Sequence, residues 1–201
     1  MKFKSAALIV TGSMLLSLLV ACGNDKNPVV PPVPPVLSTA TYLPVGPQTA
    51  VPATTVTSGG WTVCHSELYN ANTAVLTTVL ATCNGARLML ACRPVAAANY
   101  QLLAQAPRAD VTFVTPNDNT TVHNANGSGW YYSTDHSWGF IRQGDAINKE
   151  QCDTNSTAAN DQRLCWHTVQ VPNNLSPGFR CGVDAGLNES TAFERHILHA
   201  D

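Results

Sequence analysis

The stretch GWYYSTDHSWGFI, residues 129–141, decides the fold class more than any other part of the chain. Two runs rich in aromatic residues, GWYY and SWGFI, flank the polar tetrapeptide STDH. Strand-forming side chains on both sides of a short polar segment predict a β-hairpin with a four-residue turn. Alternate residues of a strand share a face, so Trp130 lies with Tyr132 and Trp138 with Phe140. We expect one face of this hairpin to contact a core.

Further short strands are predicted around the hairpin. In chain order they are Trp61–Tyr69, Ala86–Cys92, Tyr100–Ala106, Asp110–Thr115, Leu164–Val169 and Gly178–Cys181. Apolar residues recur at helical spacing over 73–83, which predicts a helix that Asn72 or Thr73 caps, with Cys83 facing the core. Residues 190–199 form either a helical turn or a closing strand, and the polar stretches 117–128 and 148–162 are surface loops. Ala86–Cys92 is nearly unbroken in apolar character and should be a central, buried strand.

These elements favour an α+β class that is predominantly β. We expect a single disulfide-braced, two-layer antiparallel β domain with one or two short helices.

The predicted domain contains six cysteines, which are Cys64, Cys83, Cys92, Cys152, Cys165 and Cys181. An even number in an exported chain predicts three disulfides, and six cysteines allow fifteen pairings. Three lie early and three late, so we expect at least one bridge within each half and one between the halves. The spacings contain no Cys-x-x-Cys pair and match no zinc site.

The chain begins with a signal-like segment. A basic start, Met1–Lys4, precedes an apolar run from Ala6 to Val20, which is the pattern of a secretory signal. This run is shorter than the ~20 apolar residues that a membrane-spanning helix needs, so a transmembrane anchor is the weaker alternative.

The residues Leu19-Val20-Ala21-Cys22 resemble the lipobox of bacterial lipoproteins. The resemblance implies that residues 1–21 are removed as a signal peptide and that Cys22 carries acyl chains. Two or more acyl chains hold a protein stably on a bilayer, which would make the membrane a partner through lipid alone. Gly23 stands where an aspartate retains enterobacterial lipoproteins at the inner membrane, which favours the outer membrane. An ordinary signal whose cleavage site lies near a cysteine is the alternative.

Residues 22–58 are predicted to be a lipidated cysteine and a proline-rich tether. Eight of the thirteen prolines fall between Gly23 and Ser58. Repeated proline removes backbone donors and favours extended polyproline II, so this stretch acts as a semi-rigid spacer. A proline motif that binds a partner domain is the alternative.

Residues 59–201 form the predicted domain. They contain seven arginines, one lysine and twelve acidic residues, a formal balance of −4. This composition offers no basic stripe and argues against nucleic-acid binding. The series GSGWYYS, SWGF, CD, RLCWHT, GFRCG, GLN and FER is similar to an uncharacterised domain of secreted bacterial proteins. That resemblance covers most of Gly60–Asp201 and implies an independent domain without a known activity.

The hairpin also carries the candidate binding residues. Aromatic rings provide apolar area with a polar tip, which suits recognition of a glycan or of another envelope protein. The candidate ligand contacts are Trp130, Tyr131, Tyr132, Trp138, Asp135 and His136. The alternative is that these aromatics pack across the strands and only stabilise the hairpin.

A rival hypothesis is an envelope hydrolase with a site built from His123, Asp135, His136 and Glu194. The sequence has no Gly-x-Ser-x-Gly, Walker or dinucleotide motif, and His196-x-x-His199 lacks the carboxylate of a metalloprotease helix. We therefore predict no cofactor and no metal, and we favour a lipid-anchored envelope binding protein over an enzyme.

Overall fold

The computed structural model describes residues 39–149, 152 and 160–201. In this part the chain consists mainly of antiparallel β-sheet, arranged as two sheets and three short α-helices. The signal segment, Cys22 and residues 23–38 of the tether lie outside the described residues, so what the sequence indicates about them stays a prediction.

The first sheet holds a central strand with five consecutive fully buried residues. Numbered in chain order, its five strands lie in the spatial order β1 (Gln48–Pro52), β5 (Asn99–Pro107), β4 (Arg87–Pro94), β12 (Phe193–Ala200) and β2 (Thr62–Leu68). Every residue from Leu88 to Cys92 in β4 is fully buried. A strand that is covered on both faces needs an unbroken apolar run, so the predicted central strand is confirmed.

The residues just before β2 belong to the fold rather than to the tether. Strand β1 pairs with β5 and leads into α1 (Ala53–Ser58). Val56 and Trp61 are buried in one apolar cluster with Met89 and Leu198 of the first sheet. The predicted tether boundary at residue 58 is therefore wrong. Proline is compatible with this arrangement because β1 is an edge strand and Pro52 immediately precedes the helix, where no backbone donor is required.

The second sheet contains the predicted aromatic hairpin. Its path is β11 (Asp184–Ala185), β10 (Asn174–Cys181), β9 (Leu164–Val169), β8 (Ser137–Arg142), β7 (Ser128–Tyr132) and β6 (His123–Ala125), with β3 (Ala74–Val75) pairing with β10. In the hairpin, Trp130 lies opposite Phe140 and Tyr132 lies opposite Trp138. The predicted hairpin is confirmed, with residues 133–136 between its two strands.

A shared apolar cluster joins the two sheets. Leu90 and Leu102 from the first sheet lie in it with Trp130, Trp138 and Trp166 from the second. Trp138 and Trp166 meet edge-to-face with ring centroids 6.0 Å apart, an arrangement that aromatic pairs prefer. One face of the hairpin is therefore core, as expected.

The disulfides follow the grouping of the cysteines along the chain. Cys64 bonds to Cys83 in the early group and Cys152 to Cys165 in the late group. Cys92 of β4 bonds to Cys181 of β10 and links the two sheets. The prediction of a bridge within each half and one between the halves is confirmed for these six residues. Bridges of this kind are typical of an oxidising, extracytoplasmic compartment.

The predicted helix is α2 (Leu76–Thr82), but its cap is not the predicted one. Val75 precedes the helix and makes no side-chain capping hydrogen bond. Cys83 ends the helix and is fully buried, as expected.

The strand predicted over Asp110–Thr115 is wrong. The chain instead forms α3 (Arg108–Val111), because Pro107 ends β5 and precedes the helix. The Arg108 guanidinium donates to the carbonyls of Leu80 and Cys83 at the end of α2, and this contact holds the turn in place.

The loop predicted over residues 117–128 is wrong in part, because it contains β6. Asn126 and Gly127 both have positive φ and join β6 to β7 in a two-residue turn, as a type I′ hairpin requires. The tail forms a strand, β12, which is one of the two alternatives that its sequence allows.

Candidate functional site

The hairpin aromatics are buried, which contradicts their predicted role as ligand contacts. Trp130 and Trp138 expose nothing, and Tyr131 and Tyr132 expose 1% and 6% of their surface. The Tyr131 hydroxyl donates to the Leu164 carbonyl at 2.9 Å, so its polar tip is bound within the protein. These four side chains pack inside the domain and cannot form a platform for an external ligand.

The turn of the same hairpin remains at the surface. Asp135 is exposed and His136 is half-buried. The His136 backbone N–H donates to the Thr168 hydroxyl at 3.0 Å, and the His136 Nδ1 lies 3.0 Å from the Ser137 hydroxyl. Of the six predicted contact residues, these two alone are accessible.

The structure places the rival hydrolase residues on separate elements with different partners. His123 on β6 pairs with Asp110, with 2.7 Å between Nε2 and Oδ1. Glu194 on β12 in the other sheet pairs with Arg93, with 2.6 Å between Oε1 and Nε. His123 and Glu194 therefore lie in different sheets, and each pairs with a residue outside the set that the hydrolase hypothesis named.

A polar array on the outer face of the first sheet has a composition that could suggest catalysis. It consists of Ser66, Arg93, Tyr100, Glu194 and His196. The His196 Nε2 lies 3.3 Å from the Ser66 hydroxyl and 3.2 Å from the Glu194 carboxylate, while Nδ1 lies 3.2 Å from the Tyr100 hydroxyl. A serine, an imidazole and a carboxylate are thus in contact.

The geometry of this array argues against an activated serine. Burial lowers the pKa of His196, which favours the neutral ring. The Glu194 carboxylate next to Nε2 favours the tautomer with its proton on Nε2, leaving Nδ1 to accept a hydrogen bond from Tyr100. An Nε2 that carries a proton cannot take one from Ser66, and a triad places its acid on the other ring nitrogen. The array instead ties β12 to its neighbouring strands.

The accessible site with recognition chemistry lies on α3, the residues that follow it, and β6. We define the Phe113 surface as Asp110, Phe113, Val114 and His123. Phe113 is 49% exposed and Val114 is 65% exposed. Over residues 39–149, 152 and 160–201, no other aromatic side chain is exposed to this degree. The His123 ring stacks on Phe113 with centroids 4.3 Å apart and planes 17° apart.

The buried hairpin positions the Phe113 surface. The Trp138 indole N–H donates to the Val111 carbonyl at 3.0 Å and holds the end of α3. The Thr115 N–H donates to the Tyr132 carbonyl at 2.9 Å, which fixes the segment after Phe113. On the other side, the Trp130 indole N–H donates to the Ala125 carbonyl at 3.1 Å and holds β6. The predicted ligand contacts Trp130, Tyr132 and Trp138 therefore hold the accessible residues of the Phe113 surface in place.

Chemically, the surface combines an apolar ring with an oriented hydrogen-bonding pair. The His123 Nε2 lies within hydrogen-bond distance of Asp110, which fixes the ring plane against Phe113. A flat apolar face beside fixed donors and acceptors suits a ligand that has both apolar and hydroxyl-bearing faces.

Of this surface, the sequence indicates only His123 as a candidate site residue. Its pattern predicts a strand over Asp110 and Phe113, which would turn their side chains to opposite faces. The dipeptide Asn126-Gly127 was the available signal for the β6–β7 hairpin that presents His123.

Comparisons with protein-family models, curated protein sequences and solved structures found no match for this chain. Among the described residues, no three His, Cys, Asp or Glu side chains are grouped as metal ligands. In the same part of the chain, no helix has both the length and the apolar character to span a membrane.

Proposed function

We propose that this protein is an exported lipoprotein whose β-rich domain binds a glycan through the Phe113 surface. In this proposal the chain is cut before Cys22 and is held at the outer membrane by acyl chains on that cysteine. The disulfides support an extracytoplasmic location, and the lipobox resemblance supports the anchor. The tether then ends before β1 instead of reaching residue 58. The head is a single two-layer domain, supported by the apolar cluster that both sheets share.

The observation that carries the binding function is the exposed Phe113 ring beside the His123–Asp110 pair. Its exposed apolar part consists of Phe113 and Val114. A standard protein–protein interface buries about 800 Å² on each partner, which is far more than two side chains offer. One sugar ring stacked on Phe113 with its hydroxyls at His123 and Asp110 matches the surface better than an envelope protein does.

The test is a glycan-array measurement on the full chain purified from membranes, with Phe113→Ala compared with the wild type. Val171→Ala is the matched control, because Val171 is 82% exposed and lies outside the Phe113 surface. We expect the wild type and Val171→Ala to bind the same glycans, and Phe113→Ala to lose at least tenfold in affinity. Equal glycan binding by Phe113→Ala and the wild type would show that the site lies elsewhere on the protein. If the wild type binds no glycan on the array, the ligand class is wrong.

A further inference from the structure

A cavity of about 320 Å³ lies between β2 and α2, apart from the Phe113 surface. Its wall includes Cys64, His65, Ala74, Val75, Thr78 and Val79. Ligand pockets in proteins begin at about 300 Å³, so this cavity is large enough for one small ring molecule.

The fold holds this cavity open from both ends of α2. At the start of the helix, the Leu76 N–H donates to the Asn173 carbonyl at 2.9 Å, and β3 pairs with β10. At its end, the Cys64–Cys83 disulfide joins the helix to β2. Both ends of the helix are therefore tied to neighbouring strands, which holds α2 beside β2. The cavity is therefore a built feature of the domain.

The lining is apolar with neutral hydrogen-bonding groups. Ala74, Val75 and Val79 supply the apolar part, and threonine hydroxyls and His65 supply the polar part. None of the residues that line it is Asp, Glu, Lys or Arg. An ionic ligand would find no carboxylate, ammonium or guanidinium partner in this wall. The ligand should therefore be uncharged.

His65 and the threonines add a preference for a hydroxyl group. An imidazole ring and threonine hydroxyls line the cavity together. A ligand hydroxyl can accept a hydrogen bond from an imidazole N–H or a threonine hydroxyl, and it can donate one to a threonine oxygen. A hydroxyl group therefore suits this wall.

We propose that this cavity binds a compact, neutral ring molecule that carries one hydroxyl group. The site does not depend on the Phe113 surface, so each can fail without the other.

The experiment titrates phenol, as the probe, into the isotope-labelled full chain and follows the backbone amide NMR signals. Benzoate serves as the charged probe of similar shape. We expect saturable shifts for the amides of α2 and β2 with phenol, and at least tenfold weaker binding of benzoate. Phenol that shifts no lining amide, or benzoate that binds equally well, would overturn the proposal.

Two variants of the same helix separate binding from folding. Thr78 and Thr77 are both exposed on α2, but Thr78 lines the cavity and Thr77 does not. We expect Thr78→Trp to lose phenol binding at least tenfold and Thr77→Trp to retain it, both with unchanged thermal midpoints. If Thr78→Trp does not fold, Val75→Phe at the half-exposed end of the wall replaces it. A folded Thr78→Trp or Val75→Phe protein that binds phenol with wild-type affinity would contradict the site. Phe113→Ala should bind phenol as the wild type does, because Phe113 does not line the cavity.

Discussion

The ring of Tyr131 crosses over Gly139 of the neighbouring strand. A Cβ atom on Gly139 would lie 2.7 Å from the Tyr131 hydroxyl and 2.1 Å from the Leu164 carbonyl oxygen. Because Gly139 has no side chain, the phenol ring reaches past β8 to β9 and donates to Leu164. This contact makes Tyr131 part of the interior.

Gly139→Ala should therefore destabilise the domain by about 2 kcal/mol or more, since the added methyl group overpacks a site bounded by backbone. Urea unfolding would measure the change. Gly144→Ala is the control: no atom lies within 4 Å of a Cβ there, so its cost is limited to the strain of positive φ. An equal loss in the two variants would show that the Tyr131 crossing is not the cause.

Arg195, which is buried, and Glu67, which is partly buried, form an ion pair whose disruption should be costly. Arg195 is fully buried and donates to Glu67 and to the carbonyls of Ser176 and Ala71. Burial lowers the pKa of Arg195. Burial alone would raise the pKa of Glu67, but hydrogen bonds and charge from His65 and Arg195 lower it overall.

Glu67→Ala should cost about 3 kcal/mol of unfolding free energy, because it leaves the arginine charge uncompensated. The double variant Glu67→Leu with Arg195→Met should lose less than Glu67→Ala, since both charges are gone. Chemical denaturation would compare these two variants with the wild type. Glu189→Ala is the control: Glu189 is exposed, so its loss should change the free energy of unfolding little. A Glu67→Ala protein as stable as Glu189→Ala would contradict the pairing.

The stability of the domain should fall as the pH drops below neutrality. Burial lowers the pKa of His196 and, together with the charge of His136, the pKa of His167. The unfolded chain binds a proton at each site near pH 6.5, whereas the folded chain does so only at lower pH. Between these values the unfolded state binds more protons, so stability rises with pH.

Urea midpoints measured between pH 5.5 and 7.5 should therefore increase with pH. His196→Gln should flatten this dependence, because it removes one of the two groups, while the remaining slope comes from His167. An unchanged slope in His196→Gln would show that His196 is not protonated differently in the two states.

The disulfide between the sheets should contribute more stability than the local one. Cys92–Cys181 closes a sequence separation of 89 residues, against 13 for Cys152–Cys165. Loop-closure entropy in the unfolded chain gives about 4–5 kcal/mol for the longer loop and about 3 kcal/mol for the shorter. Thermal unfolding of the two double-alanine variants, with peptide mapping of the remaining bridges, would check this order. The reverse order would mean that native packing outweighs loop closure.

Cys22→Ser should release the protein from the membrane fraction. If acyl chains on Cys22 form the anchor, the variant lacks them and loses metabolic palmitate labelling. Cell fractionation and intact-mass analysis give the readouts, with Ser58→Ala as a neutral control. An unlabelled wild type, or a Cys22→Ser protein that stays bound, would argue against the lipid anchor.

Local patterns in the sequence predict most of the helices and strands, but not where the tether ends and the fold begins. The central strand, the aromatic hairpin and the helix over 73–83 follow from apolar periodicity within each segment. The prediction for residues 48–58 is wrong because their structure depends on residues that are distant in sequence. Strand β1 pairs with β5, and Val56 packs with Met89. Proline content in that stretch indicated a spacer, but an edge strand tolerates proline.

The sequence by itself determined the strand-rich class, the aromatic hairpin and the grouping of the disulfides, because spacing along the chain carries that information. The tertiary structure decided which aromatic is accessible. Tyr131 is covered because Gly139 leaves room for its ring, whereas Phe113 is exposed because Pro107 ends a strand and α3 begins. Exposure is set by residues that are distant in sequence and adjacent in space, and no local pattern records them.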